Sequence, residues 1–116
     1  MAKRRMISLD IVDTDRFLSM PISTRCLYYD LLLRADDDGF VAAPRKIQRM
    51  VGATDDDFSI LAAKGLIIPF QSGVCVITDW RAQNVIRRDR HTPTMYQLEL
   101  RQLCEQRGTG QYVLIE

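Results

Sequence analysis

A chain of 116 residues fits one domain and leaves little room for two, and 47% hydrophobic with 27% charged residues is an ordinary globular balance. Its net charge of +1 falls well short of a strongly basic nucleic-acid domain, and its longest apolar stretch, Leu66 to Phe70, is far below the ~20 residues of a membrane span. The basic start Lys3-Arg4-Arg5 lacks the apolar segment of a secretory signal, so a cytoplasmic protein with no membrane contact is expected.

In chain order, Asp13-Thr14 offers a cap for a short helical turn through Phe17 and Leu18, closed by Pro21. Ser23 reads as the cap of a longer helix, whose Leu27, Leu31 and Ala35, flanked by Tyr28 and Leu32, form a core-facing stripe. Asp36-Asp37-Asp38-Gly39 ends it, because aspartate favours turns and glycine tolerates positive φ. Phe40-Val41-Ala42 is a short extended piece. Pro44 suits the first position of the next helix, with Ile47, Met50 and Val51 as its buried face and Gly52 as its stop.

Thr54 and Asp57 form a capping box shortened by one methylene from the usual glutamate. The helix they open buries Phe58, Leu61 and Ala62 and stops at Gly65. Two short helices joined by a three-residue turn match the helix-turn-helix pattern. Leu66–Phe70 and Val74–Thr78 around Gln71-Ser72-Gly73 read as a hairpin, with Pro69 marking an edge. The expected order is helix, strand, helix, helix, strand, strand: an α+β fold of winged helix-turn-helix type. An additional C-terminal helix is expected from Thr92-Pro93, with Tyr96, Leu100, Leu103 and Cys104 on one face and Gly108 at its end. The domain spans residues 1–110, and 111–116 read as a tail, a strand or the start of a missing segment.

Cys26, Cys75 and Cys104 are odd in number and widely spaced, and His91 is the only histidine, so no zinc site is expected and the thiols read as small core residues. No cofactor and no catalytic constellation is expected, since neither a nucleophile motif nor a glycine-rich phosphate loop is present. Charge is arranged in blocks. Positive runs sit at Lys3-Arg4-Arg5, Arg45-Lys46-x-x-Arg49 and Arg87-Arg88-Asp89-Arg90, and negative runs at Asp36-Asp37-Asp38 and Asp55-Asp56-Asp57.

A helical wheel turns Arg45, Lys46 and Arg49 outward. Together with Arg87, Arg88 and Arg90 they are the candidate DNA-phosphate contacts. His91 adds a fourth donor to the second cluster, for which a solvated loop or pairing with the acidic triplets are the alternatives. On the third helix Asp56, Ile60 and Ala63 point outward without positive charge, which favours a protein contact over thymine methyls. The three aspartates there read as helix capping before base reading or metal binding. Trp80 and Tyr96 are expected to be buried rather than stacked on bases.

The blocks Arg34-Ala35-Asp36-Asp37-Asp38-Gly39-Phe40-Val41, Pro44-x-Lys46-Ile47-Gln48-Arg49-Met50 and Gly52-Ala53-Thr54-Asp55-Asp56-Asp57 resemble the N-terminal domain of DnaD-type replisome organisers. These are replication initiation proteins of phages and prophages of Gram-positive bacteria. Ala63 to Phe70, Gly73 to Ile77, and Trp80-Arg81 with Arg87-Arg88-Asp89-Arg90 extend the similarity over about residues 3 to 100. The resemblance implies a winged helix, DNA binding at an origin or on single strands, self-association into a homo-oligomer, recruitment of a helicase loader and a bacterial-host cytoplasm. Family members usually carry a second, helical domain, which is not present in this sequence. Two rival functions share the fold: a protein-docking or oligomerisation domain, and a prophage transcription regulator.

Overall fold

The computed structural model describes residues 4–115 of an α+β chain. Two single-turn helices open it, α1 (Leu9–Val12) and α2 (Asp15–Leu18), capped by the side chains of Ser8 and Thr14. The Thr14 cap is the expected one, whereas α1 has only one turn and no apolar period to announce it. The long helix α3 (Ile22–Leu33) follows Pro21, which occupies the cap position without a side-chain bond. Ser23 therefore does not cap it. Its hydroxyl donates to Asp57 instead, at 2.8 Å. Thr24, Leu27, Tyr28, Leu31 and Leu32 form the buried side of α3.

After α3 come β1 (Phe40–Val41), α4 (Pro44–Met50), α5 (Asp55–Ala63), β2 (Ile67–Pro69) and β3 (Cys75–Ile77). The three strands make one antiparallel sheet in the order β1-β3-β2, which leaves β2 with Pro69 on an edge. Such a place suits a residue with no N–H to donate. Pro44 stands at the first turn of α4, and Thr54 and Asp57 close the expected capping box on α5. Phe58 and Leu61 are buried as expected, and Ala62 is half-buried.

The buried face of α4 differs from expectation. Ile47 is buried, but Met50 is 60% and Val51 37% exposed, and the inner face is Pro44, Ile47 and Gln48. The Gln48 side chain is satisfied there: its amide donates to Asp55 at 2.8 Å and its carbonyl accepts from Arg45 at 3.1 Å. A seven-residue helix buries one patch, and a satisfied polar contact has displaced the apolar one.

The chain end differs more. In place of a long helix there is a single turn α7 (Gln97–Leu100), preceded by the short α6 (Trp80–Gln83). A hairpin of β4 (Leu103–Glu105) and β5 (Tyr112–Leu114) then follows. Leu103, Cys104 and Gly108 therefore belong to a hairpin, with Gly108 at φ +86° in its turn. Tertiary contacts select the strands: Tyr112 is buried, its hydroxyl donates to the Asp38 carbonyl at 2.9 Å, and its N–H donates to the Thr78 carbonyl at 3.0 Å. The cysteines also depart from expectation, since only Cys75 is buried and Cys26 and Cys104 are exposed.

Phe17, Leu27, Tyr28, Leu31, Leu61, Leu66, Val76, Ile77 and Trp80 are fully buried in one cluster that joins α2 and α3 to the three-stranded sheet. Among the described residues, no helix is long and apolar enough to cross a membrane.

Candidate nucleic-acid interface

The acidic turn 36–39 controls where the basic residues lie. Asp36 accepts from the N–H groups of Asp38 and Phe40, both at 2.9 Å, and so closes the turn on itself. Its second oxygen accepts from the Thr94 hydroxyl at 2.6 Å. Asp37 pairs with Arg5 at 3.0 Å and accepts from the Thr92 N–H at 2.9 Å. Burial works against its charge, but the Thr92 N–H and the Arg5 guanidinium outweigh it and hold the carboxyl below the usual range. Asp38 receives Arg81 at 3.1 Å, the His91 ring at 2.8 Å and the Thr94 N–H at 2.8 Å.

These bonds fix the chain at residues 91–94. At the other end of the same segment, the Asn84 amide makes a two-way bond with the backbone of Met6, at 2.7 and 3.0 Å. Gln83 accepts from the Ser8 N–H at 3.0 Å and donates to the Tyr28 hydroxyl at 3.0 Å. Residues 85–90 thus span two fixed points as a loop that is exposed except at Ile86, which packs against the core. Arg87, Arg88 and Arg90 are exposed on it, and Arg87 pairs with its neighbour Asp89. The expected fourth donor, His91, faces Asp38 instead.

Between this loop and the N-terminal segment lies a groove of about 650 Å³ lined by Arg4, Arg5, Arg87 and Arg90, with Asp37 as its single carboxylate among the described residues. Arg5 is buried over the Trp80 ring, 5.2 Å from its centroid, and neutralises Asp37. Arg4, Arg87 and Arg90 remain as exposed cations at the rim. Arg4 stands outside the candidate set although it belongs to a positive run visible in the sequence, and Lys3 lies outside the described residues. A second hollow of about 410 Å³ shares Arg5, Asp37 and Thr92 with the first and continues past Tyr96 and Met95. Trp80 is fully buried, with its indole N–H on the Asp37 carbonyl at 2.9 Å, and so has no face free for stacking.

The α4 candidates do not line that groove. Arg45 lies 3.9 Å over the Phe58 ring and contacts Asp55 at 3.3 Å, which ties it to α5, while Lys46 and Arg49 are exposed. On α5, Asp56 and Ala63 are exposed as expected, but Ile60 is half-buried against the core. Turning Gln48 inward rotates α4 relative to the expected wheel. Asp57 is a structural hub. Its first oxygen accepts from Ser23 at 2.8 Å and Thr24 at 2.7 Å, and its second from the Thr54 N–H at 2.9 Å. Burial opposes its charge, yet the Thr54 N–H and the two α3 hydroxyls hold it below the usual carboxylate range.

The hairpin tip between β2 and β3 is tied as well, with the Ser72 hydroxyl donating to Glu99 at 2.6 Å. Among the described residues, no group of three His, Cys, Asp or Glu side chains is arranged to hold a metal ion. No family model matches the chain, and no curated protein or solved structure matches it either.

Proposed function

We propose that this chain is a winged helix-turn-helix DNA-binding module of the phage or prophage replication-initiation type, acting in the host cytoplasm. The observation that carries the DNA reading is the groove bordered by Arg4, Arg87 and Arg90, whose one carboxylate is already neutralised by a buried arginine. Clustered, exposed guanidinium groups suit phosphate oxygens, because each offers several donors in a fixed plane. The winged-helix reading draws on the run α3-β1-α4-α5-β2-β3 with sheet order β1-β3-β2. The replication role, the helicase-loader partner and self-association rest on the sequence resemblance to replisome organisers.

The acidic first turn of α5 opposes phosphate approach, and Asp56 is its exposed member. The contact is therefore placed on the 85–90 loop and the N-terminal segment, with Lys46 and Arg49 as a secondary patch, rather than on α5. Titration of a labelled duplex and a labelled single strand over a salt series tests this. If about four to six cations neutralise phosphates, the slope of log affinity against log salt is about −4 to −5. Arg87→Ala or Arg88→Ala reduces its magnitude by about one, and Arg45→Ala changes it less because Arg45 is tied to Asp55 and Phe58. A slope near zero defeats the proposal and leaves a protein-docking domain as the better reading.

A further inference from the structure

The outer side of α3 carries Ile22, Cys26, Tyr29 and Leu33, at i, i+4, i+7 and i+11. Alternating steps of four and three are the spacing of a coiled-coil seam. The inner side of the same helix is already buried in the core, so α3 is apolar on both sides. A helix of that kind is ordinarily covered on both. Here the outer stripe is open: Ile22 is 71%, Leu33 50% and Tyr29 38% exposed, and Cys26 is exposed beside them.

The borders of the stripe indicate what covers it. With Ile22 and Tyr29 at d positions and Cys26 and Leu33 at a positions, Arg25 falls at g and Asp30 at e. In a parallel pair of helices a g residue meets the e residue five places further along the other helix. Arg25 of each copy then meets Asp30 of the other, and the two-fold axis makes that pairing twice. An antiparallel pair separates these two borders and gains no such match. Asp30 already pairs with Arg34 at 3.1 Å, yet a third of its side chain is exposed and open to a second cation.

We propose that α3 is the self-association surface of this protein, pairing in parallel with α3 of a second copy through Ile22, Cys26, Tyr29 and Leu33. Three helical turns give a contact on the order of 1,000 Å² in total, at the lower edge of specific interfaces. The dimer is accordingly a weak one that dissociates on dilution. The inference names a surface for the self-association proposed above; its argument is the geometry of the helix and does not depend on DNA binding.

Sedimentation equilibrium of the whole chain, without DNA, from low-micromolar to near-millimolar concentration tests it. The expected result is a concentration-dependent dimer whose dissociation constant rises at least tenfold in Ile22→Glu or Leu33→Glu. Asp30→Arg weakens it too, through like charge against Arg25. Because these side chains are exposed, the thermal melt of each variant remains that of the parent, which separates lost pairing from lost folding. In the parallel register the two Cys26 thiols share one layer, so a mild oxidant joins them in a disulfide-linked dimer. Cys26→Ser abolishes that product and Cys104→Ser does not. A chain that stays monomeric throughout overturns the proposal, as does a dimer indifferent to Ile22→Glu and Leu33→Glu. A dimer that cross-links only through Cys104, or not at all, overturns the parallel register. Dimerisation without a salt-dependent DNA affinity defeats the nucleic-acid reading and leaves this one standing.

Discussion

Gly39 is the position where one added methyl group is expected to do the most harm. It lies at φ +90°, a conformation that L side chains rarely adopt. A Cβ built there falls 2.6 Å from Cγ, 2.7 Å from Cβ and 2.9 Å from Cδ2 of Trp80. Trp80 cannot retreat: it is fully buried, its indole N–H is held by the Asp37 carbonyl, and the Arg5 guanidinium lies over its ring. Positive φ alone costs an alanine roughly 1–2 kcal/mol. Overpacking a core costs roughly 1–3 kcal/mol more, so Gly39→Ala is expected to lose about 2–5 kcal/mol in all. Gly65 provides the control, since it lies at φ +75° with nothing within 4 Å of its added Cβ. Gly65→Ala should lose only the backbone part, about 1–2 kcal/mol. Urea denaturation followed by circular dichroism measures both, and tryptophan emission should shift to the red in Gly39→Ala alone. Equal losses in the two variants would refute the reasoning, because the Trp80 contact would then add nothing.

Two further outcomes follow from buried groups. Asp57→Asn should cost about 2 kcal/mol at neutral pH, since three donors converge on its carboxylate. Its folded pKa lies below its unfolded value of about 3.9, so this stabilisation is complete above that value and is lost as pH falls through the folded one. Denaturation at descending pH should accordingly show the gap between parent and variant closing below about pH 4, and a constant gap would contradict the hub role. Burial pushes the Cys75 thiol up to about 12. A thiol reagent at neutral pH should therefore label Cys26 and Cys104 promptly and Cys75 only on unfolding, with fast labelling of Cys75 counting against the core placement.

Where the chain carries a local rule, its structure was legible from sequence. Pro44 at a first turn, the Thr54–Asp57 box, the Gly73 hairpin and the edge at Pro69 each follow from one residue's conformational preference. What escaped was set by distant partners. Gln48 turns inward because Asp55 and Arg45 satisfy it, and neither lies on its apolar stripe. Leu103 and Cys104 read locally as the end of a helix and 111–116 as a tail or a strand, but Tyr112 has its partners at Asp38 and Thr78, more than thirty residues away, and these fix the 103–114 hairpin. The basic loop could be marked as a cluster of arginines, whereas the role of Asp36-Asp37-Asp38 in fixing it could not. That role depends on Thr92, Thr94 and His91 folding back across more than fifty residues.

This placement also bears on the proposed phosphate contact, against which a net charge of +1 counts. Charge that is paired inside the fold contributes little field outside it. Asp37 faces Arg5, and Asp38 faces Arg81 and His91. Asp57 is enclosed by donors from α3 and α5. These three carboxylates are engaged within the fold as fastenings, whereas Asp55 and Asp56 stay exposed on α5; Arg4, Arg88 and Arg90 stand on the surface beside the local pair of Arg87 with Asp89. A near-neutral sequence thereby presents a basic rim. The same aspartates that lower the overall charge hold the loop where its arginines converge, so a substitution that frees Asp38 from Thr94 should disorganise the rim even though it touches no arginine of the loop.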